Sequence, residues 1–553
     1  MNRKIRSIVI FCMLCVAICG CRKDDAAIAV QGLKIDSQRT LSLSDKPVRL
    51  SVQTVPEKVT EHYTLVWESS DPEVVRIEPD GTAIPGKKGS ASVCCYLAER
   101  PSVRALCAFQ VVSDAVVFED ERFEKALLSL CDRDGDGEIS PEEAASVKRI
   151  NVRNLRIRSL KGIEYFENLE ELDCSMNLLT AEGLDLSRNT ALRVLDCSGN
   201  NALGRLDVTH NPELERLHCK GARLSGLDVT HNPKLVYLNC YYTEIPSLDV
   251  SKNAHLEYLS CGCNAFVALD LSGNPALKNL ECTFARIPAL DLSGNPALEQ
   301  VDLRCGVLAE LDVRANRALR SLHVQYNPAM TALDVTQNTE LRSLCTAQNP
   351  IEHLDVSKCV WLDTLWCDNN RLTELDLSAH RSLVYLRCAG NRIAGQLDLS
   401  ASRLEYLECQ DNALSDLKLP PTTSYLKCSG NRLEMLDVSA CTALTWVECG
   451  SNALTEIKVA DIAGLKGLLC AGNRLERLDL TGLASIWKLE CANNRLSWLD
   501  VSGNTSLSSI DCRGNASLNE IFVWEGFDPD KQTWDQGTAL CYRKDASARW
   551  VVR

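Results

Sequence analysis

Six oxygen-bearing side chains between residues 132 and 143 form the most complete chemical motif of this 553-residue chain. They occupy the first, third, fifth, seventh, ninth and twelfth positions of a twelve-residue segment, and Gly137 is the sixth residue. The six residues are Asp132, Asp134, Asp136, Glu138, Ser140 and Glu143. This spacing lets alternate oxygens converge on one hard cation, and the glycine permits the sharp turn that convergence needs. The segment therefore predicts a calcium site; the alternative is an exposed acidic loop.

The same segment resembles the calcium loop of an EF-hand, in which the twelfth residue supplies both oxygens of its carboxylate. Residues 121–130 before it have helical spacing, with Phe123 and Leu127 on one side. The resemblance implies calcium as a structural ion at a joint between two domains. A docking role of the dockerin kind is the rival interpretation, although dockerins carry two such loops and this sequence shows one.

A second series of reactive side chains is a row of cysteines on the frame L-x-x-L-x-C-x-x-N, repeated every 21 residues with few exceptions. The row consists of Cys174, Cys197, Cys219, Cys240, Cys261, Cys282, Cys367, Cys388, Cys409, Cys428, Cys449, Cys470, Cys491 and Cys512, with Leu303, Val324 and Thr346 in the same slot between the two runs. Side chains stacked on parallel strands lie about 4.8 Å apart, whereas a disulfide requires a Cβ separation of about 3.5–4.5 Å. We therefore expect buried free thiols that pack as small hydrophobes, rather than disulfides or a metal site.

The elements that position these cysteines are short strands. Each repeat has a second half, L-D-[VL]-[ST], and both halves place apolar residues two apart, which is the period of a strand. The sequence predicts a mainly β solenoid with about 21 residues and two short strands per turn. The Asn at the ninth frame position is expected to bond the backbone of the neighbouring turn.

This repeat resembles the cysteine-ladder leucine-rich repeats of internalin-type bacterial surface proteins over about residues 149–523. The resemblance implies a binding surface rather than catalysis. The sequence has no H-E-x-x-H, no G-x-S-x-G, and no C-x-x-C pair beyond its first 20 residues, so we expect that the protein is not an enzyme. The tail, residues 524–553, departs from the repeat and is expected to cap the open end of the solenoid.

The first residues predict export. Arg3, Lys4 and Arg6 precede an apolar run, residues 8–18, which is too short to span a membrane. The following Ile-Cys-Gly-Cys21 resembles the lipobox of bacterial lipoproteins and implies a signal peptide of residues 1–20, a lipidated Cys21 and a linker of residues 21–29. Ordinary cleavage is the alternative. The Arg-Lys-Asp-Asp that follows resembles a sorting tag, so we expect a lipid anchor in the outer membrane, facing the exterior.

Residues 30–113 show short alternating strands separated by turns, which predicts a small β-sandwich. The motifs W-E-S-S-D from Trp67 and G-S-A-S-V from Gly89 resemble those of the group 2 bacterial immunoglobulin-like domain, implying a spacer. Cys95 and Cys107 are expected to face each other across a hairpin, as a disulfide or as a buried thiol pair. Residues 114–148, with the helix and the calcium loop, connect this domain to the solenoid.

The ligand surface is expected at the third, fifth and seventh frame positions, which point outward and vary between turns. Aromatic residues concentrate there: Tyr237, Tyr258, Trp366, Tyr385, Tyr406, Tyr425 and Trp446. They are either a strip that binds a ligand or a cross-strand stack that stiffens the sheet. Charges alternate beside them from Arg387 through Glu408 and Lys427 to Glu448, which favours ion pairs between turns.

The formal net charge of −14 makes nucleic acid an improbable partner. The sequence thus predicts a monomeric, lipid-anchored surface protein of the adhesin or receptor kind, which presents its leucine-rich-repeat face to a protein or glycan ligand. The alternative is an accessory glycan-capture lipoprotein of a nutrient uptake system. Calcium is the only cofactor that the sequence predicts.

Overall fold

The computed structural model describes residues 27–530, 533–535 and 538–553, and the chain divides into two units, Met1–Ala115 and Val116–Arg553. Cys21 and the predicted signal peptide lie outside the described residues. Within the described ranges, no helix has the length and apolar character needed to cross a membrane.

The first unit is a small β-sandwich of a four-stranded and a three-stranded sheet, with one additional strand pair. Its strands are Gly32–Lys34, Gln38–Ser42, Val48–Arg49, Gln53–Val55, Leu65–Ser69, Val75–Ile77, Thr82–Pro85, Gly89–Leu97 and Arg100–Val112. Leu41 and Phe109 of the larger sheet pack with Val75 of the smaller sheet in one core. Trp67 packs against this core and against a second cluster around Leu97. The prediction of a small sandwich is confirmed.

Cys95 and Cys107 of this unit do not face each other. Cys107 lies opposite Val93 and Cys95 lies opposite Ala105, so the two thiols occupy diagonal positions. Diagonal neighbours on adjacent strands are about 7–8 Å apart, which exceeds the Cα separation of a disulfide. Both cysteines are buried and free, and burial raises the pKa of Cys95 to about 12. The expectation that Cys95 and Cys107 face each other across the hairpin was wrong, because the strand register places them two residues out of alignment.

The second unit is the predicted solenoid, and one parallel sheet of 19 described strands runs along it. We call it the long sheet; its strands are Arg149–Asn151, Glu171–Asp173, Val194–Asp196, Arg216–His218, Tyr237–Asn239, Tyr258–Ser260, Asn279–Glu281, Gln300–Asp302, Ser321–His323, Ser343–Cys345, Thr364–Trp366, Tyr385–Arg387, Tyr406–Glu408, Tyr425–Lys427, Trp446–Glu448, Gly467–Leu469, Lys488–Glu490, Ser509–Asp511 and Tyr542–Arg543. Short 3-10 turns occur at Ile163–Tyr165 and Ala181–Gly183. Every pair stays in register, so equivalent frame positions form straight columns.

The leucines and cysteines of the frame form the core. Leu386 and Cys388 are fully buried, and the Cys388 N–H donates to the carbonyl of Glu408 in the next turn at 2.8 Å. The row of frame cysteines is free and buried, as predicted, and burial raises the pKa of the Cys388 thiol. Leu303, Val324 and Thr346 fill the same slot as buried residues.

Two columns of asparagine hold the turns together. At the ninth position, Asn391 Nδ2 donates to the carbonyl of Cys367 in the preceding turn at 2.9 Å and to Cys388 of its own turn at 3.0 Å, as predicted. A second column, at the N of L-D-[VL]-[ST]-x-N, was not predicted. There Asn211 Nδ2 donates to the carbonyls of Leu186 and Asn189, at 3.0 and 2.9 Å.

The second half of the repeat is a strand in only some turns. These strands are Ala289–Asp291, Glu310–Asp312, Ala394–Asp398, Ala413–Lys418, Met435–Asp437, Glu456–Lys458, Trp498–Asp500, Glu520–Val523 and Arg549–Val552. The aspartate of L-D-[VL]-[ST] makes the same local bond in turns without and with this strand: Asp249 Oδ1 accepts from the Ser251 N–H at 2.9 Å, and Asp291 Oδ1 accepts from the Ser293 N–H at 2.8 Å. The predicted two strands per turn therefore hold for part of the solenoid.

Two helices, α1 (Glu121–Cys131) and α2 (Pro141–Ala145), cover the first turn of the solenoid. Phe123 of α1 is fully buried within the solenoid core. The Asp120 carboxylate caps α1 and also accepts from the Arg158 N–H of the first turn at 2.7 Å. The helices and the predicted calcium loop between them therefore belong to the same compact unit as the repeats.

The last residues close the other end. The strand Tyr542–Arg543 extends the long sheet beside Ser509–Asp511, and Arg549–Val552 pairs with Glu520–Val523 on the second side. A hairpin of Thr533–Asp535 and Thr538–Leu540 lies between them in sequence. Four aromatic rings pack against the core: Trp524, Phe527, Tyr542 and Trp550. This arrangement has the features expected of a capping segment.

Candidate functional site

The candidate site is the outer face of the long sheet, formed by the third, fifth and seventh frame positions. Because successive side chains of a strand point to opposite faces, the buried fourth and sixth positions force these three positions outward. All seven aromatic residues predicted to bind ligand lie within long-sheet strands at the third or fifth position. Their surroundings divide them into two groups.

The first group consists of aromatic rings that stack on the rings of neighbouring turns. The Tyr237 and Tyr258 rings are parallel with centroids 4.3 Å apart, and His218 stacks on the other side of Tyr237 at 4.4 Å. Tyr406 and Tyr425 are also parallel, at 4.6 Å. Each stacking contact covers one face of each ring, and His218 also covers the second face of Tyr237, so these residues have less ring surface available to a ligand.

Neighbouring polar groups fix the stacked residues further. The Tyr406 hydroxyl donates to Glu408, and burial together with this bond raises the pKa of Tyr406. The Trp446 indole N–H donates to Glu448 at 2.7 Å. A Cβ at Gly467 would collide with the Trp446 ring, so the indole lies over the glycine of the next turn. For this group the structure favours the stiffening role.

A ladder of charges runs beside these rings. Arg387 Nε lies 3.1 Å from Asp368 Oδ2 and 3.2 Å from Glu408 Oε2, and Lys427 Nζ lies 3.7 Å from Glu408 and 3.8 Å from Glu448. The Arg387 Nε contacts are ion pairs rather than aligned hydrogen bonds. Burial raises the pKa of Asp368, and Arg387 opposes that shift. The predicted ion pairs between turns are confirmed.

Trp366 and Tyr385 form the second group and are exposed. Trp366 is 39% exposed and Tyr385 is 46% exposed. Arg387 lies over the Trp366 ring at 5.4 Å, and the Tyr385 ring is tilted from Tyr406 with centroids 6.4 Å apart. These two aromatic side chains therefore offer more ring surface to a partner than the stacked tyrosines do.

Between the stacks lies a groove that the sequence analysis did not identify. It has a volume of about 530 Å³ and crosses five turns from Asn279 to Thr364, bordered by Tyr258 at one end and Trp366 at the other. Its outward third positions are polar, uncharged and not aromatic: Asn279, Gln300, Ser321, Ser343 and Thr364. The signal in the sequence was the absence of aromatics from five consecutive third positions.

The groove floor consists of the fifth and seventh positions. His323 Nε2 lies 3.2 Å from the Ser343 hydroxyl, and burial lowers the pKa of His323, so the imidazole is neutral at pH 7. Arg304 Nε makes a bidentate contact with Asp302, at 2.8 and 2.9 Å. Gln325 is 8% exposed, and its Oε1 is buried without a hydrogen-bond partner among the described residues.

The predicted calcium ligands are only partly brought together. Carboxylate oxygens of Asp132, Asp134 and Asp136 lie within 4.8 Å of one another. This separation suits one ion, because calcium–oxygen distances of about 2.3–2.6 Å place opposite ligands about 5 Å apart. Glu138 is not part of this carboxylate cluster, and the Ser140 hydroxyl donates to Glu143 Oε2 at 2.9 Å.

Glu143 is turned toward the backbone instead. Its Oε1 accepts from the Arg133 N–H at 2.7 Å and its Oε2 accepts from the Ser140 N–H at 2.9 Å, which completes a capping box for α2. Partial burial acts against ionisation of Glu143, but these bonds outweigh it and lower its pKa. Asp132 likewise accepts from the N–H groups of Gly135 and Gly137.

The chain was compared with known proteins. No protein-family model and no curated protein matches it. Among solved structures, the functional domain of InlJ from Listeria monocytogenes, which includes a cysteine ladder, is 35% identical; the match covers 57% of this chain and 71% of that one, with a TM-score of 0.55.

Plant receptor ectodomains share the fold at lower identity. The ectodomain of GASSHO1/SCHENGEN3 from Arabidopsis thaliana, solved with CASPARIAN STRIP INTEGRITY FACTOR 2, is 18% identical over 66% of this chain and 51% of that one, with a TM-score of 0.54. The Arabidopsis receptor kinase HAESA, solved with the peptide hormone IDA and the co-receptor SERK1, is 19% identical over 70% of this chain and 82% of that one, with a TM-score of 0.51.

Proposed function

Since the chain belongs to the internalin-type cysteine-ladder leucine-rich-repeat proteins, we propose that it is a lipid-anchored cell-surface protein that binds a protein partner on the outer face of its long sheet. The observation that carries this proposal is the exposed pair Trp366 and Tyr385 beside an open groove. Exposed aromatic side chains next to a concavity are the usual anchors of protein interfaces. The fold also occurs in receptors solved with peptide ligands.

A protein partner suits this face better than a glycan chain. Glycan rings pack on open aromatic faces, and each ring of the stacks Tyr237–Tyr258 and Tyr406–Tyr425 has one face covered by its partner. Capture of glycans for a nutrient uptake system is therefore the second candidate, and binding to a glycan array without binding to proteins would favour it.

The test separates the two aromatic groups. We expect that Tyr385→Ala weakens binding by about 2 kcal/mol, roughly thirtyfold in Kd, without changing thermal melting, because Tyr385 is an exposed anchor. Tyr406→Ala is the matched variant. It should lower stability by about 1 kcal/mol, because it removes a stacked ring and leaves Glu408 without a donor.

The measurement uses the purified full chain on an array of immobilised extracellular proteins, followed by titration against the best binder and by thermal unfolding. Unchanged affinity of Tyr385→Ala for every protein bound by the wild type would contradict the proposal. Binding to glycans alone would replace it with the second candidate.

We also propose that Cys21 is the lipid-bearing residue and that the protein faces the exterior of the outer membrane. Acyl chains on one residue provide firm anchoring where a single chain does not. Cys21→Ser should release the protein into the soluble fraction, whereas Cys19→Ser, two residues earlier, should leave it membrane-bound and sensitive to protease added to intact cells. Membrane retention of the Cys21→Ser protein would contradict the lipid anchor. Protection of the Cys19→Ser protein from the added protease would contradict the exterior orientation.

The loop from Asp132 to Glu143 is further proposed to bind one calcium ion that stabilises the N-terminal end of the solenoid. The supporting observation is the convergence of three carboxylates next to α1, whose Phe123 lies in the solenoid core. Binding at a hundredfold excess over Kd would contribute about 2.7 kcal/mol to the stability of the bound state.

The informative variants are Asp134→Ala and Asp136→Ala, because each of these carboxylates accepts one backbone N–H bond, whereas Asp132 and Glu143 each accept two and their loss would lower stability more without calcium. In metal-stripped protein titrated with calcium, the wild type should bind one ion and gain melting temperature, and the double variant should do neither. Glu142→Gln, on the exposed side of α2, is the control and should match the wild type. Equal calcium content in all three proteins would refute the site.

A further inference from the structure

The groove between the two aromatic stacks has features that the exposed pair Trp366 and Tyr385 does not explain. From Asn279 to Thr364 it spans four steps between turns, or about 19 Å at about 4.8 Å per step. An extended peptide rises about 3.3 Å per residue, so roughly six residues cover this length. An α-helix is about 10 Å wide with its side chains, so it needs a wider groove than one column of third-position side chains forms.

The walls match a peptide backbone chemically. Amide and hydroxyl side chains at five consecutive third positions can each donate and accept, and every peptide unit brings one N–H and one carbonyl that must be satisfied. Gln325, in the groove floor, is more than nine-tenths buried, so the outward third positions carry the contacts that a peptide backbone could make.

The charges of the groove favour a basic segment. Glu281 accepts from the hydroxyls of Ser260 and Tyr258, at 3.0 and 3.4 Å, and no ion pair to Glu281 occurs within the part of the chain that the structure describes. Asp302 is already paired with Arg304, and His323 is neutral. The groove therefore carries one uncompensated negative charge, on Glu281.

We propose that this groove binds an extended segment of the partner protein, about six residues long, with a lysine or arginine side chain placed against Glu281. This inference rests on the proposed function and assigns it a subsite distinct from the exposed aromatic pair. A charge-assisted hydrogen bond to Glu281 would set the register of the peptide, and the polar third-position side chains would bond its backbone.

The experiment pans a random eight-residue peptide library displayed on phage against the purified full chain and measures the affinity of the best synthetic peptide. We expect enriched peptides to share one basic residue. Glu281→Gln, which keeps the shape of the side chain, should weaken the peptide about tenfold. Ser321→Trp, which fills the groove, should abolish binding. Ala315→Trp, on the second side of the solenoid, is the control and should bind as the wild type does.

Other outcomes overturn the inference. These are enrichment of the same peptides on Ser321→Trp, peptides that share no basic residue, an affinity unaffected by Glu281→Gln, or competition for the groove by oligosaccharides rather than peptides. Failure here is distinguishable from failure of the proposed function: if Tyr385→Ala weakens binding of the protein partner while both groove variants bind it normally, the surface function stands and the peptide subsite is wrong.

Discussion

A chain ending at Glu520 is expected to aggregate, because it lacks the segment that closes the C-terminal end of the solenoid. Truncation removes Ile521 and Val523, which are fully buried, and exposes Ile510 beneath the missing strand Tyr542–Arg543. Each fully buried aliphatic side chain is worth about 1.5–3 kcal/mol, so the loss is a large part of the stability of an ordinary domain. Solubility and thermal unfolding of the truncated chain test this prediction.

A point substitution gives the graded version of this test. Phe527 contacts Trp524, Tyr542 and Trp550 at centroid distances of 5.0, 4.7 and 4.9 Å, so Phe527→Ala should cost about 2–3 kcal/mol, at the lower end for aromatic truncation because the ring is partly exposed. Val552→Ala, at a side chain 61% exposed in the same segment, should change stability by less than about 0.5 kcal/mol. Equal melting of the wild type and the truncated chain would show that these residues are not a cap.

Arg387→Ala should be the most destabilising substitution on the outer face. It leaves the carboxylates of Asp368 and Glu408, whose side chains are only 5% and 10% exposed, without their shared cation. Loss of one partner of a fully buried pair costs about 3–5 kcal/mol; because Arg387 is itself 40% exposed, we expect about 2–3 kcal/mol. Arg314→Ala, which breaks a surface pair with Asp312, is the control and should cost less than about 1 kcal/mol.

The loss of stability caused by Arg387→Ala should depend on pH because of Asp368. Its pKa in the folded protein is raised by burial, so the folded state binds a proton more tightly than the unfolded state does. Protonation as pH falls through that raised pKa removes the uncompensated charge. The destabilisation by Arg387→Ala, measured by denaturant unfolding, should therefore be smaller at pH 4.5 than at pH 7.5. A deficit that grows on acidification would contradict the role of Asp368.

The repeat could be predicted from the sequence because its period recurs many times. A 21-residue spacing of Leu and Cys identified the solenoid, the inward face and the free thiols, and the ninth-position Asn identified its own bonds to the neighbouring turn. The second asparagine column, which includes Asn211 and bonds neighbouring turns to each other, was not predicted. An Asn that follows L-D-[VL]-[ST] is equally suited to an exposed turn. Cys95 and Cys107 were misplaced because alternation gives the face of a strand but not the register of its partner.

The site was less accessible to prediction from sequence. Composition identified the aromatic columns, but only ring geometry separates the covered faces of Tyr406 and Tyr425 from the exposed Tyr385. The groove was overlooked because uncharged polar side chains carry little signal one at a time. The calcium loop was predicted in full, yet its twelfth residue, Glu143, bonds backbone N–H groups, which the spacing of carboxylates does not reveal.

The most direct test of the central claim, that a protein partner lies on the outer face of the long sheet, is site-specific photocrosslinking. A photoreactive amino acid is placed at Thr364, at the end of the groove next to the exposed aromatic pair, or at Ala315 on the second side of the solenoid. Each chain is then irradiated with the protein identified on the array. We expect a covalent adduct from Thr364 and none from Ala315. An adduct from Ala315 alone, at matched binding, would contradict the account.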